Sequence, residues 1–492
     1  MISEKDTICA IATGTGSAGI GIVRLSGPDS IGIADRMFRG KRRLSEMNTY
    51  TAAYGQLVQV NGPSEGQVLD EVIALVMRAP RTYTTEDVVE LSCHGGPLVL
   101  HRVLEEALKA GARLAEPGEF TRRAYLGGRI DLSEAEAVMD VIAAESDRAL
   151  EASLRQLRGS LRNAVTELRE KLLYETAYIE SALDDPEHYS LEDYGDRIRP
   201  VLEESRKAIR RLLAGEREGR LLRTGIRTAI VGRPNAGKSS ILNLLLGEDR
   251  AIVTEIAGTT RDTLEEKAIL GDVPLVLIDT AGIRETRDVV EQIGVQRAKE
   301  ALETADLILM VIDAAENLSE EDEALLRSLT GERPEPEGPE AGAELSGRNE
   351  AAPILILLNK NDLATVVSVP EIEQKLETWK SGSDTPVTRV LEISAATGEG
   401  RERLAEAVRE LFFAGTLSDS QETYLLNARH TEALSDADEA LGRVADSVDA
   451  GVGEDFYTID LLAAYEALGR ITGETLEDDL ADKIFAEFCL GK

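Results

Sequence analysis

Eight consecutive residues constrain this chain more than any others. Gly232-Arg-Pro-Asn-Ala-Gly237-Lys238-Ser239 follows the apolar run Thr228 to Val231 and precedes a helical pattern from Ser240 to Leu246. A strand feeding a glycine-rich turn that opens a helix is a phosphate-binding loop. Glycines let backbone N–H groups close around phosphate oxygens at the helix N-terminus, Lys238 suits the β- and γ-phosphates, and the Ser239 hydroxyl suits Mg²⁺. The surrounding stretch, about 226–415, repeats the order apolar strand, loop, helix through TAIV, VPLVLIDTAG, DLILMVIDA, PILILLNKND and VLEISA. That order predicts a parallel α/β sheet.

Three further segments each end an apolar strand: Asp279-Thr280-Ala281-Gly282, Asn359-Lys360-Asn-Asp362 and Ser394-Ala395-Ala396. Together they specify guanine, because the Asp362 carboxylate can accept from two guanine N–H groups, whereas adenine would leave it unsatisfied. The set resembles the translation-factor-like GTPases with a Ras-like G domain. That resemblance implies a nucleotide site of Asn235, Ala236, Gly237, Lys238, Ser239, Ser240, the first-switch residues Thr254, Glu255, Ile256, Ala257, Gly258, Thr259 and Thr260, and the three segments above. Ser239 and Thr260 would ligate Mg²⁺. Many GTPases place a water-orienting glutamine after the DTAG segment, but here the residue is Ile283, whose apolar side chain cannot do so. Asn235 resembles the residue that holds K⁺ in a GTPase subgroup activated by potassium and G-domain dimerisation, with Thr254, Ile256 and Thr259 completing the shell. Glu291 is the catalytic candidate for orienting water; a solvated helix glutamate is the competing reading.

At 492 residues the chain is about three times a typical domain of roughly 150, so two to four cores are expected. Residues 1–118 alternate β-like runs (Ile20 to Leu25, Val72 to Met77, Val88 to Ser92) with turns and helices, an α+β pattern. From Ser133, helical periodicity runs almost to Asp184, and Ser133 with Glu136 reads as a capping box. The expected division is an α+β domain over 1–118, helical segments over 119–222 and 416–492 that pack together, and between them an inserted G domain over 223–415. Within it, residues 331–353 are rich in Pro, Gly and Glu and read as a disordered acidic loop.

Composition narrows the partners. With 55 basic against 90 acidic residues the net charge is −35, which opposes nonspecific binding to RNA, DNA or anionic lipid. Any nucleic-acid partner needs a local patch, and Arg206, Arg210, Arg211, Arg217, Arg220 and Arg223 are candidates for an RNA or partner surface, a solvated basic face being equally consistent. No apolar run approaches a bilayer span and no signal pattern opens the chain, so a soluble cytoplasmic protein is expected. The cysteines Cys9, Cys93 and Cys489 show no CxxC pairing, which indicates free thiols. Gly14-Thr-Gly16-Ser-Ala-Gly19 fits GxGxxG but leads into an alternating strand instead of a helix, against a dinucleotide site. His94-Gly-Gly-Pro97 lacks any nucleophile elbow and reads as a turn before a helix.

The terminal Phe488-Cys489-Leu490-Gly491-Lys492, the inserted G domain, Gly19-Ile-Gly-Ile-Val-Arg24-Leu-Ser-Gly, Glu86-Asp-Val-Val-Glu90-Leu, Pro117-Gly-Glu-Phe120 and Ile471-Thr-Gly473 together resemble the MnmE, or TrmE, family of tRNA-modifying GTPases over nearly the whole chain. The resemblance implies an N-terminal folate-binding and dimerisation domain that takes 5-formyl- or 5,10-methylene-tetrahydrofolate through Arg24, Glu90, Arg129 and Lys492. Such a set is chemically apt, since a carboxylate pairs with the donor edge of a pterin and cations suit the glutamate tail. Cys489 would lie beside that site and is the second catalytic candidate, a buried structural cysteine being the other reading. The resemblance further implies a homodimer that joins an FAD-dependent MnmG-type protein in a heterotetramer. The pair would add a carboxymethylaminomethyl or aminomethyl group at the five-position of wobble uridine in certain tRNAs. The alternative is an Era-type ribosome-assembly or signalling switch without one-carbon chemistry.

Overall fold

The computed structural model describes residues 6–14, 16–60, 63–247, 265–278, 302–330, 352–379, 387–413, 424–474, 484–486, 488 and 491. The chain divides into two compact units, one of Met1–Met139, Arg155–Ile209 and Glu432–Lys492, the other of Asp140–Leu154 and Arg210–Thr431. Among the described residues no helix is long and apolar enough to cross a membrane.

The first unit holds strands β1 (Ile8–Ile11), β2 (Ile20–Ser26), β3 (Phe38–Gly40), β4 (Thr51–Val58), β5 (Val68–Met77), β6 (Val88–His94) and β7 (Arg113–Leu114), in the sheet order β3-β4-β5-β6-β2-β1-β7. All pairings are antiparallel except β1 with β7. Helices α1 (Ser30–Met37) and α2 (Pro97–Lys109) cover one face, burying Val23 and Leu25 of β2, Val72, Ala74 and Val76 of β5, and Val89, Leu91 and Cys93 of β6. The alternate residues face the other way, Ile73 and Tyr54 being exposed, as the period of two requires. That second face carries Arg24 and Glu90. At the β1 end it is covered by α3 (Glu119–Leu126), whose Phe120 packs with Ile8, Ala10 and Tyr83.

Helices α4 (Leu132–Ala143), α5 (Asp147–Leu157) and α6 (Ser160–Asp184) fill the first helical stretch, and α6 packs along the helix Asp455–Thr472. The cap of α4 lies two residues earlier than Ser133 with Glu136, at Asp131 with Glu134. The Glu134 N–H donates to Asp131 Oδ1 and the Asp131 N–H to Glu134 Oε2, both at 2.8 Å, the reciprocal bonds of a capping box. Ser133 is fully buried within the helix and donates to Asp131 Oδ1 at 2.8 Å. Leu132 must already be helical to reach its core partners Ala135, Phe485 and Phe488.

The second unit is built on β8 (Ile226–Val231), β9 (Glu265–Leu270), β10 (Val273–Ile278), β11 (Leu307–Asp313), β12 (Ile354–Asn359) and β13 (Val387–Glu392), ordered β13-β12-β11-β8-β10-β9. Its pairings are parallel except β9 with β10. Both faces are covered: Leu307, Leu309 and Val311 join one core cluster, Ile308, Met310 and Ile312 the other. This is why the strands read as unbroken apolar runs. Residues Asp140–Leu154 belong to this unit although they lie within the first helical stretch. Ala152 enters its core, Lys267 pairs with Glu145 at 2.7 Å, and the Arg148 guanidinium lies 5.1 Å from the Phe413 ring centroid.

Candidate functional site

The phosphate-binding loop leaves β8 and opens α7 (Lys238–Leu246). Gly232 and Gly237 have φ of +152° and +101°, and Asn235 has φ of +66°, a left-handed conformation that asparagine tolerates better than most residues. A Cβ at Gly237 would stand 2.1 Å from Asn359 Nδ2, and one at Gly232 2.4 Å from the Val311 carbonyl oxygen, so neither position admits another residue without displacing its neighbour. Lys238 Nζ donates to the carbonyls of Gly232 at 2.7 Å and Arg233 at 2.9 Å. Its ammonium is thereby held over the loop whose N–H groups would face phosphate.

The segments expected to read guanine reach the same end of the sheet because β12 lies beside β11, which lies beside β8. Asn359, almost fully buried, donates from Nδ2 to the Ala236 carbonyl at 3.0 Å and accepts at Oδ1 from the Ala395 N–H at 3.0 Å. One side chain thus ties the phosphate loop to the Ser394-Ala395-Ala396 turn. Ser394 Oγ donates to Asp362 Oδ1 at 2.6 Å, which orients the carboxylate expected to read guanine. Lys360, with φ of +67°, extends to Asp313 Oδ2 at 2.6 Å. Asn235, Ala236, Gly237, Lys238, Ser239, Ser240, Asn359, Lys360, Asp362, Ser394, Ala395 and Ala396 therefore sit on neighbouring turns, a helix start and a strand end at one edge of this sheet. Thr254, Glu255, Ile256, Ala257, Gly258, Thr259, Thr260, Asp279, Thr280, Ala281, Gly282 and Glu291 lie outside the described residues, as does the acidic stretch 331–353.

Two participants have no sequence motif of their own. Asp313, buried at the end of β11, receives Lys360. Arg233, inside the loop, pairs with Glu316 at 2.5 Å and with the buried Asp322 at 3.2 Å. Asp322 also caps the helix Glu320–Thr330 by accepting from the Ser319 N–H and hydroxyl. The S-x-x-D pattern at Ser319 signals that cap, but the arginine it recruits is distant in sequence.

In the first unit, Arg24 and Glu90 are direct cross-strand partners in the β2–β6 register. Nε and Nη2 of Arg24 both reach Glu90 Oε1, at 2.9 and 2.8 Å. The Arg24 guanidinium lies 5.6 Å from the Phe120 ring centroid and 5.9 Å from that of Tyr83. Arg129 comes to the same ring at 4.8 Å and donates to the Tyr83 carbonyl at 3.0 Å. Arg24, Glu90 and Arg129 thus converge around Tyr83. Cys489 and Lys492 are outside the described residues, but Gly491 is within them: with φ of +90°, its absent Cβ would meet the Ile11 carbonyl oxygen at 2.3 Å. The end of the chain therefore reaches the end of β1.

Helix α3 is anchored beneath this site by an ion network in which Arg113 and Arg123 reach Glu119 at 2.6 and 2.9 Å, and Arg123 also reaches Asp6 at 2.9 Å and Glu86 at 3.0 Å. The Arg113 hydrogen bond holds the Asp6 carboxyl below its ordinary value of 3.8. Burial acts to raise Glu119, yet hydrogen bonds from Arg113, the Glu116 N–H and Arg123 prevail and keep it below 4.5. Burial pushes the thiols of Cys9 and Cys93 up to about 12, so both are protonated and inert at neutral pH.

The candidate basic patch is largely engaged within the fold. Arg206 pairs with Asp438 at 2.9 Å and Arg223 with Asp140 at 3.0 Å, Arg217 lies 6.0 Å from the Phe412 ring centroid, and Arg210 and Arg211 also have partners. Among the described residues no group of His, Cys, Asp and Glu side chains is arranged to hold a metal ion by itself.

Two family models match the chain. The family model described as the MnmE helical domain matches residues 132–489, and that described as the GTP-binding protein TrmE N-terminus matches residues 7–129. The tRNA modification GTPase MnmE of Lachnoclostridium phytofermentans is 46% identical over 492 residues, covering 99% of this chain and 100% of that protein. The protein of the same name from Listeria welshimeri is 44% identical, with the same coverage. Among solved structures, Aquifex aeolicus Era is 28% identical with a TM-score of 0.27, covering 43% of this chain and 65% of that one.

Proposed function

The chain belongs to the MnmE family of tRNA modification GTPases, and from that premise we propose that it hydrolyses GTP in a cycle that installs an aminomethyl-type group at the five-position of wobble uridine in tRNA. The observation that carries the nucleotide half is the Asn359 bridge between Ala236 and Ala395. It supports reading the phosphate loop and the segments expected to recognise guanine as one connected site. In the proposed site Lys238 leaves its two carbonyl partners for the β- and γ-phosphates, while Asp362, oriented by Ser394, accepts from guanine.

The residues suit the ions implied. Ser239 lies in the first turn of α7 next to Lys238, and its hydroxyl with that of Thr260 would hold Mg²⁺. Asn235 offers an amide oxygen on a backbone already in the left-handed region, a hard donor for K⁺ with Thr254, Ile256 and Thr259. Glu291 orients water in this reading, since Ile283 cannot. We assign the pairing of Arg24 with Glu90, and Arg129 beside them, to a tetrahydrofolate carrier, with Lys492 supplying a further cation. When bound, a 5-formyl- or 5,10-methylene-tetrahydrofolate supplies the one-carbon unit. The arrangement supports that reading because a carboxylate and two cations meet beside the Tyr83 and Phe120 rings, a set that fits a heterocycle with hydrogen-bond donors and an anionic tail. A homodimer working with an FAD-dependent MnmG-type protein, Cys489 near the carrier, and a cytoplasmic location complete the proposal.

Nucleoside analysis of tRNA from a strain lacking the protein tests it: the substituent at the wobble uridine is expected to disappear. Unchanged wobble uridines would leave the switch without one-carbon chemistry. Purified protein is expected to hydrolyse GTP much faster in K⁺ than in Na⁺ and to lose that difference on Asn235→Ala. Equal rates in the two salts would refute the potassium assignment.

A further inference from the structure

Tyr83 is the residue around which the candidate carrier site closes, and no motif singles it out. Its ring faces two guanidiniums, Arg129 at 4.8 Å and Arg24 at 5.9 Å from the centroid. Its carbonyl accepts from Arg129 at 3.0 Å, and its hydroxyl shares a 2.9 Å hydrogen bond with Thr121 on α3. Phe120, the neighbour of Thr121, supports Arg24 from its own side at 5.6 Å.

The loop carrying Tyr83 is held at several points. Thr82 Oγ1 donates to the Glu86 carbonyl at 2.6 Å, and Thr84 Oγ1 and Ser26 Oγ share a 2.6 Å hydrogen bond. Thr85 adopts φ of +64°, a conformation that is a true outlier for a β-branched residue. Such conformations persist where the surroundings over-determine them, and they cluster at ligand-binding sites. Across from it, a Cβ at Gly127 would stand 2.1 Å from Thr85 Oγ1, so the turn after α3 is shaped to receive this loop.

Arg129 is exposed, and a long solvated arginine loses considerable rotamer entropy on being ordered by a ligand. A cation–π contact and a backbone acceptor on the same residue remove much of that loss in advance. We propose that Tyr83 is a positioning residue of this site, its ring fixing Arg24 and its ring and carbonyl fixing Arg129 so that the two guanidiniums are preorganised for a planar nitrogen heterocycle bearing an anionic tail. The proposal rests on the one-carbon reading above.

Calorimetric titration of the full-length protein with 5-formyl-tetrahydrofolate tests it. Tyr83→Leu is expected to weaken binding about tenfold, whereas Tyr83→Phe, which keeps the ring, stays within about twofold. Arg129→Ala should cost roughly tenfold in the wild-type background and much less in Tyr83→Leu, a non-additivity that general loosening of the fold does not produce. GTP affinity should be unchanged throughout and reports folding; should Tyr83→Leu unfold, Tyr83→Met makes the same comparison. Wild-type affinity in the aliphatic variant, with binding lost in Arg24→Ala, overturns the role of Tyr83 and leaves the carrier site standing. Absence of binding by the wild-type protein overturns both.

Discussion

Truncating Asn359 to alanine probes the link between the two halves of the nucleotide site. The side chain is almost fully buried and makes two hydrogen bonds, to the Ala236 carbonyl and from the Ala395 N–H, each at 3.0 Å. Asn359→Ala leaves both backbone groups without that partner, and Ala236 is itself fully buried. A buried polar group deprived of its partner costs about 1–3 kcal/mol, so the pair costs roughly 2–6 kcal/mol, shared between stability and nucleotide binding. If only about 2 kcal/mol falls on binding, GTP affinity drops about thirtyfold. Asn359→Asp should be no better, because it keeps an acceptor for Ala395 but sets a carboxylate oxygen against the Ala236 carbonyl. Titration with a fluorescent GTP analogue, together with thermal unfolding, measures both shares. GTP affinity within twofold of wild type and an unchanged melting temperature in Asn359→Ala would refute the claim that this side chain couples phosphate and guanine recognition.

Two further outcomes follow from the first unit. Asp6 and Glu119 both titrate below their ordinary values of 3.8 and 4.5, so their ionised forms stabilise the fold above about pH 4.5, and that stability is lost as pH falls through their lowered values. The difference in melting temperature between wild type and Arg113→Met should therefore shrink between pH 6 and pH 3 (on the order of this window), and a constant gap would show that the network does not act through these carboxylates. With Cys9 and Cys93 buried and their thiols pushed to about 12, any rapid reaction of native protein with a thiol reagent at neutral pH should come from Cys489 and vanish in Cys489→Ser. Persistence of the fast phase in that variant would contradict the burial argument.

Some of this architecture is local, and local features are legible. The phosphate loop is eight contiguous residues because phosphate is bound by successive backbone N–H groups, so composition and order within that window specify the chemistry. The central strands β11 and β12 stand out as unbroken apolar runs because both of their faces are buried. The helix start near residue 132 was less legible. Ser133 with Glu136 and Asp131 with Glu134 are each acceptable capping pairs, and the choice fell to the latter because Leu132 packs with Phe485 and Phe488 from the far end of the chain.

What the sequence by itself determined is therefore the pattern carried by contiguous residues: the phosphate loop, the order of apolar strands around it, and the alternation that marks β2 as a half-buried strand. Only the tertiary structure decided which distant groups complete those sites. Asn359 meets Ala236 because the order β12-β11-β8 aligns the ends of those strands. Asp322 reaches Arg233 through a helix cap. Tyr83 lies in an irregular loop where no hydrophobic period marks it, and its place between Arg24 and Arg129 arises when α3 packs across the sheet and fixes its hydroxyl through Thr121. Contacts of this kind depend on packing between elements far apart in the chain, and a pattern read over a few neighbouring residues does not encode them.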